Sequence, residues 1–217
     1  ISQINTHMYK HFNNLVNIPL GIKTNNKNKT INYPLLTSLK DLKKNAQLEI
    51  EKTFKTKKFI LFHLDEKWID SNINVQIILE IIMTTVNFKK EDYIVVITTG
   101  FKETTINKKI NNFLNFKDIP QKKQIFDIMQ SIDNENIYLF RNINIKKLTV
   151  LISLSKLVIE PHGALTHIAS LYNTPVIDII RNDSVNFFKK WAPISSKNMQ
   201  VEYKDLKNFK KILNNFI

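Results

Sequence analysis

From Lys57 onward the chain alternates short apolar runs with longer amphipathic stretches, and that alternation constrains the fold more than any other feature. The runs at residues 59–62, 93–98, 137–140, 157–159 and 176–179 read as buried strands, and the stretches at 72–86, 103–114, 145–154 and 164–172 read as helices. Strands separated by helices form βαβ units, whose right-handed crossovers give a parallel sheet with helices on both faces. The expected fold class is therefore α/β, a Rossmann-like domain over residues 57–217 that ends in an amphipathic helix at 204–217. Ahead of it, 38–54 reads as a connecting helix, 25–32 as a polar linker and 3–16 as an amphipathic helix, while 120–132 follows no clear period. In an open parallel sheet ligands bind beyond the carboxyl ends of the strands, so the loops after Phe62, Thr98, Phe140, Ile159 and Ile179 are where function is expected.

With 217 residues, 43% of them hydrophobic, the chain can build one such core. No apolar run reaches the roughly 18 residues of a membrane-spanning helix, and even 74–86 is interrupted by Gln76 and Glu80. A soluble, cytoplasmic chain is expected. Position 1 is Ile and no basic-then-apolar leader stands at the start, which suggests a sequence that begins inside a longer protein. The absence of cysteine excludes disulfides and thiolate metal sites.

The net charge of +13 comes from 30 Lys and only 2 Arg, Arg141 and Arg181. Lysine, like the abundant Asn and Ile, is encoded by A/T-rich codons, and the guanidinium fork that base-reading proteins favour is nearly missing. Nucleic acid is not the expected partner. Point charges do suffice to hold a phosphorylated substrate, or to bring the chain to the anionic inner face of an inner membrane.

The sharpest signal is Leu157-Val-Ile-Glu-Pro-His-Gly-Ala-Leu-Thr-His-Ile-Ala-Ser-Leu-Tyr-Asn-Thr-Pro-Val-Ile, a strand, a tight small-residue turn, a helix start and a second strand entered through Pro175. Gly163 is one of three glycines; it either permits close backbone approach to a ligand or merely shapes the turn. Free N–H groups at the helix start would suit an anion such as a diphosphate. His167, one turn in, is either a phosphate donor or a cap or core residue.

This string resembles the signature of glycosyltransferase family 9, the ADP-heptose:lipopolysaccharide heptosyltransferases: an apolar strand, Gly-Pro-Asp-Thr/Ser-Gly-x-x-His-x-Ala, a short helix, Pro and another strand. Pro161, His167, Ala169 and Pro175 stand in register, while His162 replaces the family's Asp, Gly163 its Thr or Ser, and Ala164 its Gly. The resemblance implies a diphosphate and sugar site at His162, Gly163, Ala164, Leu165, Thr166 and His167, with the donor's identity left open by the departures. Phe59-Ile-Leu-Phe-His-Leu-Asp-Glu-Lys-Trp is similar to the first strand and loop of the family's C-terminal domain, where a Lys reaches the phosphates; Lys67 is that cation or one of many solvated lysines. Ile97-Thr-Thr-Gly-Phe-Lys-Glu resembles the family's loop after the second strand and implies nucleoside contacts at Thr99, Gly100 and Glu103, although Glu103 also suits the first turn of a helix on electrostatic grounds. Phe187-Phe-Lys-Lys-Trp-Ala-Pro resembles a further family segment in which Trp191 lines the donor pocket or packs the returning chain.

These resemblances run from about Phe59 to Ile217 and imply the C-terminal, donor-binding half of a GT-B fold, with residues 1–56 as the end of an N-terminal domain and its linker. The implied activity is inverting, metal-independent glycosyl transfer from a nucleotide-diphosphate sugar, with an ADP-sugar first in line, to a glycan or lipid-linked acceptor of the cell envelope. No cofactor beyond that donor and no metal ligand is expected, and no Asp-x-Asp stands at a strand end. No residue can be assigned as the general base, which the resemblance places in the other domain. Two alternatives stay open: a GT-B glycosyltransferase of another family with a different donor, and a non-catalytic basic module at an anionic envelope surface.

Overall fold

β1 (Lys58–Leu64) shows how the sheet is built. Successive side chains of a strand point to opposite faces, and here Ile60, Phe62 and Leu64 enter one buried cluster while Phe59 and Leu61 enter the other. A strand apolar on both faces must be covered on both. α3 (Val75–Asn87), α4 (Thr105–Leu114) and α8 (Phe209–Phe216) cover the first face, and α1 (Lys40–Phe54), α5 (Ile145–Leu154) and α6 (Ala164–Leu171) the second. The computed structural model describes residues 39–65, 67–70, 73–100, 104–119, 124–192 and 197–216. The expected helix at 3–16 and linker at 25–32 lie outside the described residues.

The remaining elements are the one-turn α2 (Lys67–Asp70), β2 (Tyr93–Thr99), β3 (Phe116–Asp118), β4 (Asp127–Ser131), β5 (Ile137–Arg141), β6 (Leu157–Pro161), β7 (Val176–Ile180), α7 (Val185–Trp191) and β8 (Asn198–Glu202). They form one eight-stranded sheet in the order β3-β4-β5-β2-β1-β6-β7-β8. The six strands from β5 to β8 are parallel, and β3 and β4 add an antiparallel edge. The parallel strands, taken in chain order, lie 3-2-1-4-5-6, so the order reverses between β1 and β6, the topological switch point where α/β sheets open a crevice.

The strands and helices expected among the described residues are present, and the α/β class holds. The structure adds five elements that periodicity did not show, the one-turn α2 among them. β4 occupies part of the ambiguous stretch 120–132, β8 is a half-buried edge strand of mixed polarity, and β3 and α7 are too short for either period to register. The closing segment is also split, with a 3₁₀ turn at Tyr203–Asn208 before α8 begins at Phe209. Helix starts follow local rules: the side chains of Asn74, Thr104 and Asn144 accept the backbone N–H of Gln76, Asn107 and Lys147. No described helix is long and apolar enough to cross a membrane.

Candidate functional site

At the switch point the ends of β1 and β6 bring Lys67 and Gly163 together. Trp68 is fully buried, stacks on Phe62 and donates its indole N–H to the His63 carbonyl at 2.7 Å. Asp65 accepts the Lys67 backbone N–H at 3.1 Å. These two anchors hold α2 against the sheet and direct Lys67 across the β6 turn. A Cβ built on Gly163 would lie 1.6 Å from Lys67 Nζ and 3.0 Å from its Cε. Any side chain at 163 would therefore displace the ammonium. Gly163 has φ near −175°, ordinary extended backbone, so close approach rather than torsion is what requires glycine.

Beneath this turn lie two buried carboxyls that interrupt otherwise apolar strands. Glu160, 2% exposed, accepts the Thr166 hydroxyl at 3.0 Å, and Thr166 in turn accepts the Gly163 N–H at 3.3 Å. Desolvation pushes the Glu160 carboxyl well above its ordinary range; Asp178 and Asp65 push the same way, while the Thr166 bond and Lys67 oppose. A neutral Glu160 removes one negative charge from below the anion-facing turn. Asp178, 0% exposed, lies 2.7 Å from His162 Nδ1 and accepts Gln200 Nε2 at 3.0 Å. A carboxylate can only accept, so the imidazole carries its proton on Nδ1 toward Asp178 and keeps Nε2 for other partners. Gln200 also donates to the Phe188 carbonyl at 3.1 Å, and the Phe188 ring packs on His162 with centroids 4.8 Å apart. The His162 ring is thus fixed from both sides.

The backbone donors of the turn divide accordingly. The His162 N–H bonds the Ile179 carbonyl, and the Gly163 N–H bonds Thr166. The amides of Ala164 and Leu165 are first-turn donors of α6 and point out of its N-terminal end. Lys67, Pro161, His162, Ile179, Arg181, Phe188 and Tyr203 line a cavity of about 210 Å³ at the ends of β1, β6 and β7. Arg181 pairs with Asp183 through both Nε and a terminal nitrogen; Lys67, the ordered imidazole and the start of α6 together suit an anion.

A second, larger cavity of about 410 Å³ opens at the ends of β2 and β5, where Thr99, Gly100, Asn107, Asn111, Arg141 and Asn142 are among its walls. The Arg141 guanidinium there contacts Asp118 at 2.7 Å and Asp127 at 2.8 Å, and Asp127 accepts Asn142 as well.

Of the residues expected from the sequence, Lys67, His162 and Gly163 meet around one cavity, and Thr99 and Gly100 line the other. Ala164 is exposed at the helix start. His167 packs its ring edge-on to His162 at 5.6 Å. Leu165 and Thr166 turn inward, Leu165 into the core and Thr166 onto Glu160, so neither side chain faces the cavity. Glu103 lies outside the described residues. Trp191 is half-buried and packs on Phe187, which is 57% exposed. Sequence reasoning missed Arg181, Tyr203, Asp178 and the Asn107–Asn111 pair. The signal for Asp178 was legible as a single charge inside the apolar run 176–180.

No family model matches the chain, and no curated protein matches it in sequence. Its structure is similar to that of E. coli ADP-heptose lps heptosyltransferase II, with 16% identity and a TM-score of 0.55 over 78% of this chain and 50% of that one. It is similar to a glycosyl transferase family 9 protein from Veillonella parvula, with 13% identity and a TM-score of 0.52 over 82% of this chain and 44% of that one. It is also similar to the UDP-GlcNAc 2-epimerase of Neisseria meningitidis bound to UDP-GlcNAc, with 15% identity and a TM-score of 0.52 over 83% and 42% respectively. The fold is that of a GT-B domain. The chain spans half or less of the length of each of these proteins.

Proposed function

We propose that the chain is the nucleotide-sugar-binding half of a glycosyltransferase resembling the heptosyltransferases, with residues 57–217 forming the donor domain and residues up to 56 leading in from a facing domain. The observation that carries this reading is the approach of Lys67 Nζ to the Gly163 turn at the start of α6, at the sheet's switch point. A lysine that shares its space with a glycine turn and a helix start forms a three-part anion site. The ligand this reading assigns to the site is the diphosphate of a sugar donor, an ADP-sugar first. The likeness to proteins that handle ADP-heptose and UDP-GlcNAc supports that class.

In transfer, negative charge develops on the departing diphosphate as the anomeric carbon–oxygen bond breaks. Lys67, the α6 amides and the imidazole held by Asp178 are placed to stabilise it. Catalysis from this half is electrostatic. The acceptor hydroxyl, on a glycan or lipid-linked envelope acceptor, is deprotonated by a base in the facing domain, and the anomeric configuration inverts.

Calorimetric titration of the chain with ADP, UDP and GDP tests the reading, with wild type compared with Lys67→Ala. Saturable binding weakened roughly tenfold or more by the substitution is the expected result, since a charge-assisted contact contributes about 1.5–3 kcal/mol. Binding of none of the three nucleotides would point instead to a non-catalytic basic module, which anionic vesicles would then retain.

A further inference from the structure

Four polar atoms around the larger cavity have no hydrogen-bond partner: Asn107 Nδ2, Asn107 Oδ1, Asn111 Oδ1 and Arg141 Nε. Asn107 is 0% exposed. Buried carboxamides are normally bonded, and leaving both ends of one unpaired is costly. Helix packing does not account for the residue. Thr104 caps α4 by accepting the Asn107 backbone N–H, which any residue at 107 would donate, and Ile106 and Ile110 already supply the apolar contacts on either side. The carboxamide is surplus to the fold.

The chemistry of the unpaired atoms specifies a ligand. Two are acceptors and two are donors. Among the described residues the cavity's one cation, the Arg141 guanidinium, sits between Asp118 and Asp127. A phosphate would find that guanidinium already bridged by two carboxylates, whereas a neutral planar group with donors and acceptors side by side on its edge would meet four complementary atoms. Nucleobases have such edges, and a carboxamide pairs with them bidentately, as in the recognition of adenine by Asn. The volume of about 410 Å³ falls within the roughly 300–1,000 Å³ of ligand sites.

We propose that Asn107, together with Asn111 and the Nε of Arg141, reads the hydrogen-bonding edge of the donor's nucleobase in the cavity at the ends of β2 and β5, and so sets which base the chain accepts. This rests on the nucleotide-sugar reading above and adds to it the residues that discriminate. Asn107 acts in binding alone; it has no part in the transfer chemistry.

The test is calorimetry of the full chain with ADP, UDP, GDP, CDP and inorganic pyrophosphate, together with thermal melts, for wild type, Asn107→Leu and Asn107→Ala. Wild type is expected to bind one nucleotide more tightly than pyrophosphate. Asn107→Leu should weaken that nucleotide roughly ten- to a hundredfold, the range of one lost bidentate edge, flatten the preference among bases and leave pyrophosphate affinity unchanged. Its Tm should hold or rise, because an apolar isostere removes two unsatisfied atoms. Asn107→Ala gives the same binding pattern if the bulkier Leu does not fold. A nucleotide preference that survives both substitutions overturns this inference and leaves the functional reading intact, as does a fall in Tm for Asn107→Leu with binding unchanged, which makes the carboxamide part of the fold. Pyrophosphate binding by wild type with no gain from any base overturns base reading, and failure to bind any nucleotide or pyrophosphate overturns the functional reading with it.

Discussion

At the ends of β1, β6 and β7 the cavity walls carry Lys67, an Arg181 paired with Asp183 and an imidazole oriented by Asp178, whereas at the ends of β2 and β5 the guanidinium among the described residues is bound by two aspartates and the other polar groups are amides and a hydroxyl. Both cavities open at the carboxyl edge of one sheet. The difference between them is one of electrostatics, since one wall set favours an anion and the other a neutral hydrogen-bonding group. On the proposed reading, the anionic and the neutral surfaces of a nucleotide-diphosphate sugar divide between these two cavities.

The largest effect on the first cavity is expected where that cavity depends on shape. Gly163→Ala places a methyl where Lys67 Nζ now sits. The tip of a lysine can swing aside, so the fold should be retained, but the ammonium leaves the α6 start. Affinity for ADP and for pyrophosphate should fall together by about tenfold, which corresponds to 1.4 kcal/mol, while affinity for adenosine stays as it was. Isothermal titration with the three ligands reads this directly. An equal loss for adenosine would show that the two cavities are not separate.

A second effect concerns stability rather than binding. Burial raises the Glu160 carboxyl, so the folded chain holds its proton at pH values where the unfolded chain has released it. Stability linked to this group is fully present below the ordinary carboxylate range near 4.5 and is lost as pH rises toward the raised folded value. Glu160→Gln keeps the neutral form at every pH. The variant and wild type should melt alike near pH 4, and the variant should melt progressively higher than wild type as pH rises to 8. A gap that does not change with pH would mean that Lys67 keeps Glu160 ionised, and the first cavity would then be less cationic than its lysine suggests.

These residues also mark how far the sequence could be read. The five strand-end loops picked out by alternation are the ones that supply the two cavities: Lys67, Pro161, His162 and Arg181 around one, Gly100 and Asn142 around the other. Strand apolarity encodes burial on both faces and hence the parallel sheet, and a crevice at the carboxyl ends of its strands follows from that sheet. The Lys67–Gly163 approach was legible only as two separate motifs, because the intervening residues 68–162 and the β1–β6 pairing decide the contact. Asn107 was not legible. In a chain rich in Asn, a single amide on a helix has no sequence signal, and its significance comes from burial without a partner. β8 was missed for a related reason: an edge strand with only Val201 buried has no apolar run to announce it.

The smallest effect tests the neutral character of the second cavity. Arg141 and its two aspartates are partly exposed, and such bridges contribute little to stability. Asp118→Asn removes one carboxylate and leaves Asp127 at 2.8 Å from the guanidinium. Stability should change by less than about 1 kcal/mol, and the preference for a nucleotide over pyrophosphate should persist, because one carboxylate still neutralises the one cation. Adding Asp127→Asn releases the guanidinium from both partners and turns the cavity cationic. Pyrophosphate should then bind a second equivalent, with an affinity that falls as salt is raised. If the single substitution alone admitted that second equivalent, Asp118 would be the group that keeps anions out, and Asp127 would only position Asn142 and the guanidinium plane.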